Sequence, residues 1–136
     1  MDKYELLEHP ADLKIKAWGK NLAELFSNMA FAMAEQLAKR KEDQIVLGAW
    51  EEIEIAAPDL ESLMVDWLNE LIYRGSINQM AYFGLDILQV NETVLHAKIK
   101  GVYAPEKFMD IKAATYHDIK VKKENDYWEA IVVFDI

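Results

Sequence analysis

The spacing of apolar residues changes along this chain, and the change limits the folds that it can form. Leu13, Ile15 and Ala17 alternate with lysines, which is the two-residue period of a strand with one buried face. Beyond Gly19, and after a predicted N-cap at Asn21, the apolar residues follow the spacing of an amphipathic helix: Leu22, Leu25, Phe26, Met29, Met33 and Leu37. A strand that leads directly into such a helix predicts a layered domain in which the helix packs on a sheet.

A second strand and helix follow. The segment Glu52-Ile53-Glu54-Ile55 alternates like a strand, and Asp59 is the predicted N-cap of the next helix. The apolar face of that helix comprises Leu60, Leu63, Met64, Trp67, Leu68, Leu71 and Ile72. Gly75 is its predicted C-cap, and the basic run Lys39-Arg40-Lys41 suits the C-terminus of the first helix.

The remainder of the chain has the pattern of β-hairpins. The predicted strand pairs are Leu85 to Val90 with Thr93 to Tyr103, and Ile119 to Lys122 with Tyr127 to Phe134. At 136 residues the chain has the length of one domain. We therefore predict a single α+β domain over residues 1–136, with two amphipathic helices packed on a largely antiparallel or mixed β-sheet.

The charge and composition restrict the partners of this chain. Its 24 acidic and 15 basic residues give a net charge of −9, which repels phosphate backbones and disfavours strong direct binding of nucleic acid. A protein partner with a basic surface remains compatible with that charge. The longest nearly unbroken apolar stretch, Met29 to Ala34, is too short to span a membrane. A soluble, cytoplasmic protein without membrane contact is expected.

Strong catalytic signatures are absent from the sequence. It has no phosphate-binding glycine loop, dinucleotide fingerprint, zinc-ligand spacing or nucleophile elbow, and it has no cysteine. The available chemistry is therefore that of oxygen and imidazole ligands.

The last residues place two carboxylates side by side. Phe134-Asp135-Ile136 ends a predicted strand, so the Asp135 side chain would lie beside the α-carboxylate of Ile136. Asp12, just before the first strand, could supply a third carboxylate, and an all-oxygen set suits Ca²⁺ better than Mg²⁺. The alternatives are a solvated strand end for Asp135 and a local turn for Asp12.

Two further segments carry candidate residues. His9 could be a ligand or an acid-base group, but a histidine beside a proline is more often packed and hydrogen-bonded. The segment Lys112-Ala113-Ala114-Thr115-Tyr116-His117 offers mixed donors within one turn or short strand, and an ordinary strand edge has the same composition.

Five blocks of the sequence resemble the archease family, in the family's order and over nearly the whole chain. They are Glu8-His9-Pro10-Ala11-Asp12, Ala17-Trp18-Gly19, Asp66-Trp67-Leu68-Asn69-Glu70-Leu71-Ile72-Tyr73, Ile111-Lys112-Ala113-Ala114-Thr115-Tyr116-His117 and Val132-Val133-Phe134-Asp135-Ile136. Two positions depart from the family pattern. Pro10 replaces the usual Thr, which bears on the loop that presents Asp12, and Val102 replaces a common acidic residue.

The resemblance implies a non-catalytic activator of the tRNA-splicing RNA ligase, which joins 3′-phosphate or cyclic-phosphate ends of RNA to 5′-hydroxyl ends. The family is expected to promote guanylylation of the ligase and to sustain its repeated turnover. The resemblance also implies a divalent cation, most suitably Ca²⁺ with Mg²⁺ or Mn²⁺ as alternatives, bound by Asp12, Asp135 and Ile136. Lys112 matches a lysine that serves activation.

Two other functions compete with this interpretation. The first is a metal-dependent phosphoester hydrolase in which Asp12, Asp135 and His117 bind the metal and His9 transfers protons. The second is a general chaperone or adaptor without a metal, which draws on the acidic surface alone.

Overall fold

The computed structural model describes residues 3–8, 12–38 and 49–136, and these residues form eight strands and two helices. In chain order the elements are β1 (Tyr4–Leu7), β2 (Leu13–Gly19), α1 (Leu22–Leu37), β3 (Glu51–Ala56), α2 (Leu60–Asn78), β4 (Met80–Val90), β5 (Val94–Tyr103), β6 (Ala113–Ala114), β7 (Lys120–Glu124) and β8 (Tyr127–Asp135). The predicted α+β class is confirmed.

The strands divide into two sheets in which each pair of neighbours is antiparallel. One sheet has the order β1-β2-β8-β6, with β7 also paired to β8, and the other has the order β3-β5-β4. Both predicted hairpins form, as β4–β5 and β7–β8. The sequence pattern did not reveal that the strands separate into two sheets, nor that β1 borders the larger one.

Both helices begin at the predicted N-caps. The Asn21 Oδ1 atom accepts a hydrogen bond of 2.8 Å from the main-chain N–H of Glu24, and Asp59 Oδ1 accepts one of the same length from Ser62. Each side chain satisfies a main-chain donor that the first helical turn leaves unpaired. The basic run at residues 39–41 lies outside the described residues.

The predicted C-cap of α2 was wrong. The helix continues past Gly75 to Asn78, and its C-cap is Gln79 in the left-handed region at φ 55°. The chain then folds back so closely that a Cβ at Gly75 would lie 2.6 Å from the Met80 carbonyl oxygen. Gly75 therefore permits a close approach between α2 and the start of β4. In a sequence, a glycine in this role is hard to distinguish from a glycine that caps a helix.

The hydrophobic core lies where the helices meet both sheets. Helix α1 contacts β2 and β4, which belong to different sheets, and α2 contacts β6 as well as all three strands of the smaller sheet. Trp67 is fully buried, and its indole Nε1 donates a hydrogen bond of 3.0 Å to the Phe26 carbonyl. That bond joins the two helices at the centre of the core.

No helix in the described part of the chain is long and apolar enough to cross a membrane.

Candidate functional site

Strand register brings Asp12 and Asp135 to neighbouring positions. In the β2–β8 ladder Leu13 lies opposite Phe134, so one further step places Asp12 opposite Asp135. Asp12 lies half-buried in the bend that precedes β2, and Asp135 is the exposed last residue of β8. The two residues are therefore cross-strand neighbours. We call the end of the larger sheet that carries Asp12 and Asp135 the carboxylate edge.

The segment that contains Lys112 flanks Asp135 on its other side. Ala113 pairs with Asp135, and the Lys112 main-chain N–H donates a hydrogen bond of 2.8 Å to the Asp135 carbonyl. Continuing that register places Lys112 opposite Ile136. The Lys112 side chain is exposed, so its ammonium is available beside the carboxylate edge.

Helix α2 fixes this segment through Asn69. The Asn69 Oδ1 atom accepts a hydrogen bond of 2.8 Å from the Ala114 N–H, and Nδ2 donates one of 3.1 Å to the Ala114 carbonyl. The carboxamide thus supplies to Ala114 the one donor and one acceptor that the main chain of a neighbouring strand would supply. Sequence reasoning assigned Asn69 no role. The available signal was a poor helix former in the middle of a strongly patterned helix.

His117 does not join the two carboxylates of this edge. His117 is exposed, and its Nε2 lies 3.4 Å from Asp118 Oδ2. His9 lies outside the described residues. Among the residues that the structure describes, no three His, Cys, Asp or Glu side chains gather closely enough to hold a metal ion. The hydrolase interpretation needs Asp12, Asp135 and His117 as such a set, so the geometry does not support it.

The donor set at the carboxylate edge suits a hard cation if main-chain oxygen and water complete it. Asp12 and Asp135 supply two side-chain carboxylates, and an α-carboxylate on Ile136 would supply a third. Ca²⁺ accepts six to eight oxygen ligands in irregular geometry, whereas Mg²⁺ demands a near-ideal octahedron. The two adjacent carboxylates at this sheet end repel each other, and a divalent cation would offset that repulsion.

The fold and this edge define the class of this protein. It is a small α+β protein in which two segments distant in the chain pair and place two carboxylates side by side. A model of the archease protein family matches residues 4–136, and this chain belongs to that family. It is 36% identical to protein archease of Methanosarcina mazei, over 98% of this chain and 96% of the relative. It is 33% identical to that of Sulfurisphaera tokodaii over the full length of both.

Solved structures agree with the assignment of the fold. The solution structure of a Methanobacterium thermoautotrophicum protein is similar at a TM-score of 0.80 and 25% identity, and the match covers all of both chains. A crystal structure from Thermotoga maritima, described as an archease and possible chaperone, matches at a TM-score of 0.69 and 22% identity, over 96% of this chain and 94% of that one. At that identity the second likeness concerns the fold alone.

Proposed function

We propose that this chain is a cytoplasmic, non-catalytic activator of the RNA ligase that joins 3′-phosphate or cyclic-phosphate RNA ends to 5′-hydroxyl ends. The observation that carries the proposal is the carboxylate edge, where Asp12, Asp135 and Lys112 meet through strand pairing. Family membership supports it, because these residues belong to the blocks that resemble archease. The net charge of −9 favours action through the ligase protein over strong binding of RNA.

The proposal includes a divalent cation at the carboxylate edge. Asp12, Asp135 and the α-carboxylate of Ile136 would hold it, and Ca²⁺ fits this donor set best, with Mg²⁺ and Mn²⁺ as alternatives. The cation would neutralise the carboxylates and keep the end of β8 in one arrangement. The proposal requires Ile136 to carry the free terminal carboxylate.

Lys112 is proposed to contact the ligase. It is exposed beside the carboxylate edge, and its side chain makes no hydrogen bond or ion pair with the described residues. An exposed lysine without a structural partner contributes little to folding. Its position suits an interaction that forms only in the complex.

The proposed mechanism is differential binding. The carboxylate edge would bind a basic rim near the active site of the ligase, and it would bind the guanylylation-competent state more tightly than the resting state. The gain in ligase activity is then limited by that difference in affinity.

A ligation assay tests the activator role. We expect Lys112→Ala to lower the stimulation of the ligase at limiting activator by at least about fivefold, the lower end of typical coupling between sites. The matched control is Lys120→Ala, an exposed lysine further along the sheet, opposite Ile131. Equal stimulation by both variants and the wild type would argue against a contact through Lys112.

The same assay, run without ligase on a panel of phosphoesters, tests the hydrolase interpretation. Turnover by this chain alone would contradict a purely activating role. Stimulation of ligation only in the presence of ligase and GTP would support it.

Calorimetric titration with Ca²⁺ tests the cation. Asp12→Asn, Asp135→Asn and a Gly-Ser extension after Ile136 each remove one negative charge from the donor set. Each should weaken binding by about tenfold or more, because ligand charge sets affinity at such sites. The control is Asp126→Asn, an exposed aspartate in the turn between β7 and β8. Identical binding by all variants, or no binding at millimolar Ca²⁺, would remove the cation from the proposal.

A further inference from the structure

A cavity of about 510 Å³ lies at the end of β2 that is remote from Asp12. The length of β2 separates it from the carboxylate edge by about 20 Å. Its lining includes Lys3, Trp18, Lys20, Glu24, Asn28 and Tyr127. The volume falls within the ~300–1,000 Å³ of small-molecule sites, and the proposed action on the ligase does not use this cavity.

Asn28 is the most informative residue of the lining. It is only 8% exposed, and its Nδ2 donates a hydrogen bond of 2.6 Å to the Trp18 carbonyl. Because a carbonyl can only accept, the amide nitrogen must face Trp18, and Oδ1 therefore faces away from it. No group among the described residues donates to Oδ1. A buried acceptor without a donor is costly. A ligand in the cavity could supply the donor that Asn28 Oδ1 lacks.

The remaining lining combines aromatic and charged groups. The aromatic lining residue on which a flat group can stack is Tyr127, because the Trp18 indole lies on the face of β2 opposite α1, with its ring 5.4 Å from Lys16 Nζ. Lys3 and Lys20 bring two positive charges against the single negative charge of Glu24. The Glu24 Oε1 atom accepts the Lys20 main-chain N–H at 3.3 Å, so Oε2 remains as an acceptor. The lining is thus positive by one charge in a chain of net charge −9.

We propose that this cavity binds a ribonucleotide. The base would stack on Tyr127 and donate an N–H to Asn28 Oδ1, as unpaired bases do in protein sites. A carboxylate is a common acceptor for ribose hydroxyls, which is the role assigned to Glu24. The phosphate would pair with Lys3 and Lys20, close to the N-terminus of α1. The same chemistry is present in a free mononucleotide and in the terminal nucleotide of an RNA strand.

Nuclear magnetic resonance titration of the full chain with AMP, GMP, CMP and UMP tests the proposal. We expect saturable shifts of the Tyr127 ring and Asn28 carboxamide signals. Lys20→Ala should weaken binding by at least about threefold through the loss of one phosphate contact. Lys14→Ala is the matched control, since Lys14 lies on β2, the strand that precedes Lys20, but outside the cavity, and its loss should leave binding unchanged. Tyr127→Ala should weaken binding through the base instead of the phosphate.

Chemical probes separate the parts of the ligand. AMP should bind more tightly than deoxy-AMP, which lacks the hydroxyl for Glu24, and more tightly than ribose 5-phosphate, which lacks the base. Equal affinity for AMP and inorganic phosphate, equal weakening by Lys14→Ala and Lys20→Ala, or no shift at millimolar nucleotide would overturn the proposal.

Competition identifies the source of the nucleotide. Displacement of AMP by a short RNA at lower concentration than by free nucleotide would assign the cavity to an RNA end, and the reverse would assign it to free nucleotide. Asp135→Asn should leave nucleotide binding unchanged, because the carboxylate edge is remote. Failure here and failure of the ligase proposal are therefore distinguishable.

Discussion

At the scale of single residues, Asn69 connects the helical layer to the candidate site. Its carboxamide satisfies both the N–H and the carbonyl of Ala114, a residue that is only 4% exposed. The neighbouring Lys112 N–H bonds the Asp135 carbonyl. One side chain of α2 therefore holds the segment beside Asp135 from the helical side, while β8 holds it from the other.

Asn69→Ala should lower the free energy of unfolding by roughly 2 kcal/mol or more. The substitution leaves two buried main-chain groups unsatisfied, at about 1–3 kcal/mol each, against a gain in helix propensity of at most about 0.7 kcal/mol. Urea denaturation measures the loss. Asn78→Ala is the control, because Asn78 is exposed in the same helix and its side chain makes only a long hydrogen bond of 3.5 Å to the Tyr82 hydroxyl; we expect a change within about 0.5 kcal/mol. A loss at Asn78 as large as that at Asn69 would contradict this role.

At the scale of elements, the two helices begin with chemically different caps. Asn21 caps α1 with a neutral amide, whereas Asp59 caps α2 with a carboxylate. The hydrogen bond from the Ser62 main-chain N–H lowers the pKa of Asp59 below its usual 3.8, because that bond favours the ionised form. A lowered pKa contributes stability that is present above the unfolded value and is lost as the pH falls through the folded value.

The two caps should therefore respond differently to acid. Asn21→Ala should cost about 1 kcal/mol at every pH from 7 to 3. Asp59→Ala should also destabilise at pH 7, but its cost should shrink as the pH falls below the unfolded value of about 4 and towards the lowered pKa of the folded state. Denaturation curves of both variants and the wild type across this range measure the effect. Parallel pH profiles for the two variants would contradict it.

At the scale of the whole molecule, the excess of acidic residues has two consequences of opposite sign. In a folded chain with a net charge of −9, the excess acidic side chains repel one another. Added salt should screen that repulsion and so raise the melting temperature. The proposed attraction between the carboxylate edge and a basic ligase surface should weaken under the same conditions.

Raising NaCl from about 10 mM to 500 mM shortens the screening length from about 30 Å to a few Å. We expect the melting temperature to rise by a few degrees over that range, while the concentration of activator that gives half-maximal ligase stimulation increases several-fold. Ligase activity without activator, measured at each salt concentration, is the control. A half-maximal concentration that does not change with salt would contradict electrostatic docking.

Much of the local structure was predictable from the sequence. The caps Asn21 and Asp59, the two amphipathic helices and both hairpins follow from residues within a few positions of each other, because capping and hydrophobic period are local effects. The end of α2 was not predictable. Gly75 has the signature of a C-cap, but the chain continues to Gln79 because Met80 folds back against the helix.

By itself, the sequence determined which residue types were available at the candidate site and which elements carry them. Only the tertiary structure decided which residues are neighbours. Asp12 and Asp135 are far apart in the chain and meet through the register of β2 and β8, while Asn28 lines a cavity closed by β2 and the start of β8. Strand register depends on how the whole apolar face is buried, and a slip of one residue would turn every side chain to the opposite face. Strand register therefore depends on packing between distant parts of the chain, and a local sequence pattern does not contain that information.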